Sequence, residues 1–179
     1  MISQMIGVGK AHAKIILVGE HAVVYNQPAI AIPLTNLTVT TTIQPAFVGQ
    51  TIESNTFHGG LDELGANVEG LRQLILRLIT HFQLQKAPFT IEIDTNIPQE
   101  RGFGASAAFA TSITKAFFDF ANAPLSPEQL KYFTDLEESI SHGSASGLDA
   151  ATVNSTDPIW FVKNDLPTDR KSTRLNSSH

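Results

Sequence analysis

The chain contains no cysteine, no excess of positive charge and no long apolar segment. Without cysteine, disulfide bonds and thiolate-bound zinc are excluded, and a reducing compartment fits the composition. The 12 Lys and Arg residues against 17 Asp and Glu give a net charge of −5, which argues against a nucleic-acid partner. The run "KIILV" at residues 14–18 is too short for a membrane span or a signal core. We therefore expect a cytoplasmic protein with no membrane partner.

The 179 residues are enough for one domain with a sizeable core. Apolar runs and alternation predict short strands, and 3.6-residue periodicity predicts helices between them. The predicted strands are 15–18, 22–24, 29–32, 37–43 and 89–94, and the predicted helices are 68–84, 106–121 and one that begins after Ser126. The segment 45–65, rich in Gly and Asn, is predicted to be a loop. Because strands and helices do not alternate regularly, the pattern indicates an α+β domain.

The last of these helices has explicit start and stop signals. Ser126 is an N-cap residue, Pro127 occupies the first helical position, and Gln129 completes a capping box. Gly143 is a suitable C-terminal residue, since glycine readily adopts the left-handed backbone that ends a helix.

A glycine-rich segment, "QERGFGASAAFATS" at residues 99–112, precedes the alanine-rich helix. Gly102 and Gly104 allow a tight turn, and backbone N–H groups at a helix start suit a phosphate. Ser106 could bind a metal or simply cap the helix. Gly102, Gly104 and Ala107 also fit the dinucleotide fingerprint G-x-G-x-x-A, which keeps a nicotinamide-dependent oxidoreductase as an alternative. The polar connector "TNIPQER" before the glycines is not the strand end that this fingerprint requires.

Two further segments concentrate polar residues among apolar ones. In "KIILVGEHAVVY", Glu20 and His21 either lie exposed in a hairpin turn or need polar partners between the two apolar runs. Lys14 is either a surface lysine or a point charge for a phosphate. "EESISHGSASGLDAAT" carries Glu138, His142 and Asp149, either as a solvated helix end or as metal ligands. A zinc site from these three residues is weakly supported, because H-E-x-x-H is absent. Magnesium, held by Glu138 and Ser106 with Asp149 left as a base, suits the chemistry better.

Taken together, "KIILVGEHAVVYNQPAIAIPL", "PQERGFGASAA" and "HGSASGLD" resemble the GHMP kinase superfamily and, within it, the mevalonate kinase family, over about residues 7–165. The resemblance implies an N-terminal lobe like the second domain of ribosomal protein S5, followed by a ferredoxin-like C-terminal lobe. Two departures stand out: the usual Gly-Leu-Gly-Ser-Ser is Gly-Phe-Gly-Ala-Ser here, and Ala145 replaces a proline before Asp149.

The activity implied by the resemblance is ATP- and Mg²⁺-dependent phosphorylation of the primary hydroxyl of mevalonate to 5-phosphomevalonate. Lys14 and Asp149 would be catalytic, and Ser106 and Glu138 would hold Mg²⁺. The ATP phosphates would contact Glu100, Arg101, Gly102, Phe103, Gly104, Ala105 and Ser106. The substrate would contact Lys14, Glu20, His21 and Asp149.

The resemblance leaves open the substrate, the oligomeric state and the activity of this chain by itself. A phosphomevalonate kinase or another GHMP small-molecule kinase is the nearest alternative, and a homodimer of the full-length protein is compatible with it. Residues 1–165 are expected to form the ATP-binding domain, whereas 166–179 are polar, basic and expected to be a disordered, non-native tail. Because no C-terminal lobe follows, we expect this chain alone to have little activity.

Overall fold

The computed structural model describes residues 6–98, 102–143 and 146–163 of the chain. The predicted tail at 166–179 lies outside these ranges. In chain order the elements are β1 Gly7–Val18, β2 Ala29–Pro45, β3 Gln50–Ser54, β4 His58–Gly60, α1 Glu69–His81, β5 Phe89–Thr95, α2 Ala105–Phe120, α3 Pro127–His142, α4 Leu148–Thr152 and β6 Ile159–Phe161. Short 3₁₀ turns occur at Val23–Tyr25, Leu61–Glu63 and Ala66–Val68.

The strands form one mixed sheet in the order β1-β2-β5-β3-β4, and β6 pairs with β2. β3 and β5 run parallel, and the other pairs are antiparallel. Helix α2 packs on β1 and β2, while α3 packs on α1 and α2. This arrangement confirms the α+β class predicted from the sequence.

Alternation along β2 selects the face that packs into the core. Val39, Thr41 and Ile43 are fully buried, as their shared spacing predicts, while the intervening threonines remain partly accessible. Phe89 and Ile91 of β5 continue the buried face and pack with residues of all three long helices. The core therefore lies between the sheet and the helical layer.

Helix α3 confirms the predicted cap in detail. The Ser126 hydroxyl accepts from the Gln129 amide at 3.2 Å, and the Gln129 side chain accepts from the Ser126 amide at 3.0 Å. Gly143 ends the helix with φ of +80°. The helices predicted at 68–84 and 106–121 correspond to α1 and α2, with small differences at their ends.

Two predictions from local pattern are wrong. Residues 22–24, predicted as a strand, contribute to a 3₁₀ turn, because the amides of Tyr25 and Asn26 donate to the carbonyls of Ala22 and Val23. The predicted loop at 45–65 contains β3, which pairs with the distant strand β5, and β4, which pairs with β3. The strands predicted at 29–32 and 37–43 are parts of the single strand β2.

The fold also bears on the dinucleotide alternative. A G-x-G-x-x-A fingerprint requires a βαβ unit with parallel strands on either side of the helix. In the described chain α2 leads into α3 rather than into a strand, and β5 before it pairs antiparallel with β2. The nicotinamide alternative therefore lacks its structural context. Among the described residues, every helix is too short or too polar to cross a lipid bilayer.

Candidate functional site

Lys14 of β1 and Asp149 of α4 form an ion pair. Lys14 Nζ lies 2.8 Å from Asp149 Oδ1, and their side chains are 4% and 30% exposed. A buried ammonium is costly unless it is paired, so Asp149 compensates the Lys14 charge. The pair joins strand β1 to the start of α4 and leaves the carboxylate reachable from solvent.

The glycine loop is attached to the same strand. The Lys14 amide donates to the Phe103 carbonyl at 2.9 Å, so the loop runs beside the lysine. Gly104 has φ of +66°, and a Cβ placed there would come within 2.5 Å of Lys14 Cε. Gly102 also has a positive φ, +101°, but a Cβ there would meet no atom of the described residues within 4 Å. Gly104 therefore makes room for the lysine, whereas Gly102 faces open space.

The first turn of α2 has no side-chain cap. Gly104 is its N-cap residue, no side chain among the described residues accepts from the first amides, and no acidic residue lies in the first turn. The first amides of a helix have no partner within the helix, and the helix dipole favours an anion there. With Lys14 adjacent, this end of α2 is suited to a phosphate group.

Ser106, in this first turn, pairs with Glu137 of α3. The Ser106 hydroxyl donates to Glu137 Oε1 at 2.5 Å, and the Ser141 hydroxyl donates to the same oxygen at 2.6 Å. The neighbouring Glu138 accepts instead from the amide and hydroxyl of Ser146, at 2.8 and 2.9 Å. Glu138 thus holds the loop that leads to Asp149.

The structure brings together most of the residues predicted from the sequence, although not always in the predicted pairs. Lys14 contacts both Asp149 and the loop 102–106, so these residues lie together beside β1. Within the described residues Ser106 contacts Glu137 and not Glu138, so the role of Glu138 as a metal ligand stays a prediction. Glu20 and His21 are exposed in the turn after β1, and their contact with substrate also stays a prediction. Glu100 and Arg101 lie outside the described residues.

The zinc interpretation has no support in the described part of the chain. There, no three His, Asp or Glu side chains are grouped closely enough to hold a metal ion, although the side chain of His142 falls outside that part. A site for Mg²⁺ needs fewer protein ligands, because phosphate oxygens and water complete its coordination.

Glu137 is the residue that the sequence analysis missed. Two glutamates stand side by side, and the resemblance selects the second of them. The only local signal is that Glu137 and Ser141 share a helix face at i, i+4 spacing with the buried Phe133. Which glutamate faces α2 depends on how α3 is rotated about its axis against its neighbours, and this rotation cannot be predicted from the local sequence.

Comparison with known proteins places this site in context. Residues 71–155 match the family model described as GHMP kinases N terminal domain. The mevalonate kinase of Methanothermobacter thermautotrophicus is 31% identical over 147 residues, which cover 79% of this chain and 45% of that protein.

Two solved structures extend the comparison. Mevalonate kinase from methicillin-resistant Staphylococcus aureus superposes with a TM-score of 0.69 at 33% identity, over 90% of this chain and 54% of that one. The Methanococcus jannaschii mevalonate kinase superposes with a TM-score of 0.73 at 26% identity, over 91% and 55% of the two chains. The chain spans about half the length of the curated relatives it matches.

Proposed function

We propose that this chain, which carries a GHMP kinase N-terminal domain, forms the ATP-binding part of a kinase that phosphorylates mevalonate. The observation that carries the proposal is the 2.8 Å contact between Lys14 and Asp149. It joins two segments that are far apart in sequence, beside a glycine loop whose backbone bonds to Lys14.

ATP is proposed to place its phosphates against the first turn of α2. The uncapped amides there, the open space at Gly102 and the adjacent Lys14 ammonium all favour a polyanion. The segment from Glu100 to Ser106 would surround the phosphates, with Arg101 contributing positive charge.

A magnesium ion fits the residues at this end of α2. Ser106 offers a hydroxyl oxygen, and α3 offers two adjacent carboxylates that are already aligned by hydrogen bonds. Mg²⁺ prefers such oxygen ligands together with phosphate oxygens and water. We propose Ser106 and Glu138 as its protein ligands. When bound, the ion would neutralise negative charge on the phosphates.

The proposed reaction transfers the terminal phosphoryl group of ATP to the primary hydroxyl of mevalonate. A bond forms between the substrate oxygen and the phosphorus as the bond to the ADP oxygen breaks. Asp149 orients the hydroxyl and takes its proton, while Lys14 offsets negative charge on the transferred group. Glu20 and His21 are proposed to contact the substrate, which the names of the relatives identify as mevalonate.

Nucleotide binding tests the first half of this proposal. Isothermal titration calorimetry of the 179-residue chain should detect Mg-ATP and not NADH. Lys14→Met should weaken Mg-ATP binding about tenfold or more, because one phosphate-facing charge is lost. Lys86→Met, at an exposed lysine, is the matched control and should bind as the unsubstituted chain does. Binding of NADH but not ATP would overturn the proposal.

ADP release tests the second half. The chain, or a version extended to the length of its relatives, is assayed with mevalonate, phosphomevalonate, galactose and homoserine side by side. Only mevalonate should stimulate release. Asp149→Asn keeps an oxygen for Lys14 but loses the base, so turnover should fall about 10²–10⁴-fold while Mg-ATP binding persists. Stimulation by phosphomevalonate or galactose instead would reassign the substrate.

A further inference from the structure

Glu137 is a carboxylate held among three helices, and neither the resemblance nor the proposed reaction uses it. Glu137 is 2% exposed, and its Oε1 accepts hydrogen bonds from Ser106 of α2 and Ser141 of α3. A buried carboxylate is unfavourable unless such donors satisfy it. Both hydrogen bonds are short and charge-assisted, and such bonds hold side chains in fixed orientations.

Helix α1 approaches the same carboxylate at Gly70. A Cβ added at Gly70 of α1 would lie 2.2 Å from Ser141 Oγ and 2.8 Å from Glu137 Oε1. Any larger residue at this position would displace the serine or the carboxylate. The backbone of α1 thus closes one side of the carboxylate, and Ser106 lies on another.

The direction of the Ser106 bond limits what Ser106 can do next. A serine hydroxyl has one hydrogen to donate and two lone pairs to accept. Because its hydrogen goes to Glu137, Ser106 has only lone pairs for another partner. A phosphate oxygen needs a donor, so it would gain nothing from this hydroxyl, whereas a cation would be bound. Ser106 remains partly accessible, so such a partner can reach it.

We infer that Glu137 is a positioning residue, which fixes the Ser106 hydroxyl as an acceptor for the metal of the Mg-ATP complex. This inference rests on the proposed function. The neighbouring Glu138, also in α3, accepts from Ser146 of the loop before Asp149 and is itself a proposed ligand of that metal. The two adjacent acids therefore have different roles: Glu138 would bind the ion, whereas Glu137 orients Ser106. Hydrogen-bond partners of metal ligands orient those ligands and increase their affinity for the ion.

The test separates metal-dependent from metal-free binding. Calorimetric titrations use Mg-ATP and, in parallel, ATP with a chelator, on the unsubstituted chain and on Glu137→Gln. Glutamine keeps the shape and loses the charge. Affinity for Mg-ATP should fall about 10- to 100-fold, the usual effect of removing a partner of a metal ligand, while affinity for metal-free ATP stays the same. Ser139→Ala, at an exposed serine of the same helix, is the matched control and should change neither.

A double variant identifies the route of the effect. If Glu137 acts through Ser106, then Ser106→Ala with Glu137→Gln should bind Mg-ATP no more weakly than Ser106→Ala alone. Additive losses would mean that Glu137 contacts the metal or supports the fold independently, and would overturn the inference. If Glu137→Gln does not fold, Ser141→Ala carries the test. It removes one of the two donors to Oε1, so Mg-ATP affinity should fall severalfold, and an unchanged affinity would overturn the inference.

The outcomes separate the two proposals. If the unsubstituted chain binds neither form of ATP, the proposed function fails and the inference fails with it. If the unsubstituted chain prefers Mg-ATP, and Glu137→Gln lowers both affinities equally or neither, the inference alone fails.

Discussion

At the scale of single residues, Gly104 combines two requirements at one position. Its φ of +66° ends the glycine loop in the left-handed region, and its missing side chain leaves room for the aliphatic stem of Lys14. Gly102 has only the first requirement, since nothing lies within 4 Å of a Cβ placed there. Two glycines that look equivalent in the sequence therefore have different physical roles.

Replacing each glycine by alanine measures that difference. Alanine in the left-handed region costs about 1–2 kcal/mol, and inserting a methyl group into a packed site costs about 1–3 kcal/mol more. Gly104→Ala should therefore lower the free energy of unfolding by roughly 2–5 kcal/mol, whereas Gly102→Ala should lower it by about 1–2 kcal/mol. Urea unfolding of both variants provides the comparison, and equal losses would contradict the role assigned to Gly104.

The sequence predicted, from residue type alone, most of the residues that the structure brings together at the candidate site. Local sequence is enough to suggest the chemistry of glycines before a helix, of a lysine in a strand and of an acid after a glycine-serine turn. Their partners cannot be read that way. Ser106 bonds to Glu137 rather than Glu138 because rotation of α3 brings that side chain against α2.

At the scale of elements, helix α3 shows how completely a local signal can be read. Its N-terminus is specified by neighbours within four residues, and the structure has every predicted bond. Such signals need no tertiary information, since side chain and backbone meet within a single turn. Strand β3 is the opposite case, because its parallel partner β5 lies beyond α1 in the chain.

Glu128, in the first turn of α3, gives a prediction with a defined pH dependence. Hydrogen bonds from its own backbone amide and from Ser126 lower its pKa below the ordinary value of 4.5. A carboxyl whose pKa is depressed on folding stabilises the protein above its unfolded pKa, and this contribution is lost as the pH falls through the folded pKa.

Glu128→Gln removes that contribution. The variant should have a lower urea midpoint than the unsubstituted chain at neutral pH, and the difference should shrink as the pH falls below 4.5. Urea unfolding of both proteins, at neutral pH and at a pH below 4.5, measures this difference. A difference that stays constant with pH would show that the carboxylate charge has no stabilising role there.

At the scale of the whole molecule, stability depends on how closely β1 lies against α2. Gly9 faces α2, and a Cβ there would come within 1.9 Å of the Ser112 carbonyl oxygen. Side chains of α2 also reach the free edge of the strand: Asp119 accepts from the Val8 amide, and Lys115 donates to the Lys10 carbonyl. Burial in this contact lowers the pKa of Lys115.

Gly9→Ala should therefore disrupt the packing of the sheet on its helices. The clash is with backbone, which cannot rotate away, so the free energy of unfolding should fall by about 3 kcal/mol or more. Val8→Ala, whose side chain is partly exposed beside it, should cost less than about 1 kcal/mol. Chemical denaturation followed by circular dichroism tests both variants. A small loss of unfolding free energy in Gly9→Ala would contradict the close packing of β1 against α2.

The sequence by itself determined the α+β class, the positions of the long helices and the α3 caps, and it supplied the candidate site residues, because each depends on residues close together in the chain. Only the tertiary structure decided that β3 pairs with β5, that Lys14 meets Asp149 and that Ser106 meets Glu137. Those contacts are set by the register of strands and the rotation of helices against each other. Register and rotation are fixed by burial of many side chains together, so no single motif encodes them.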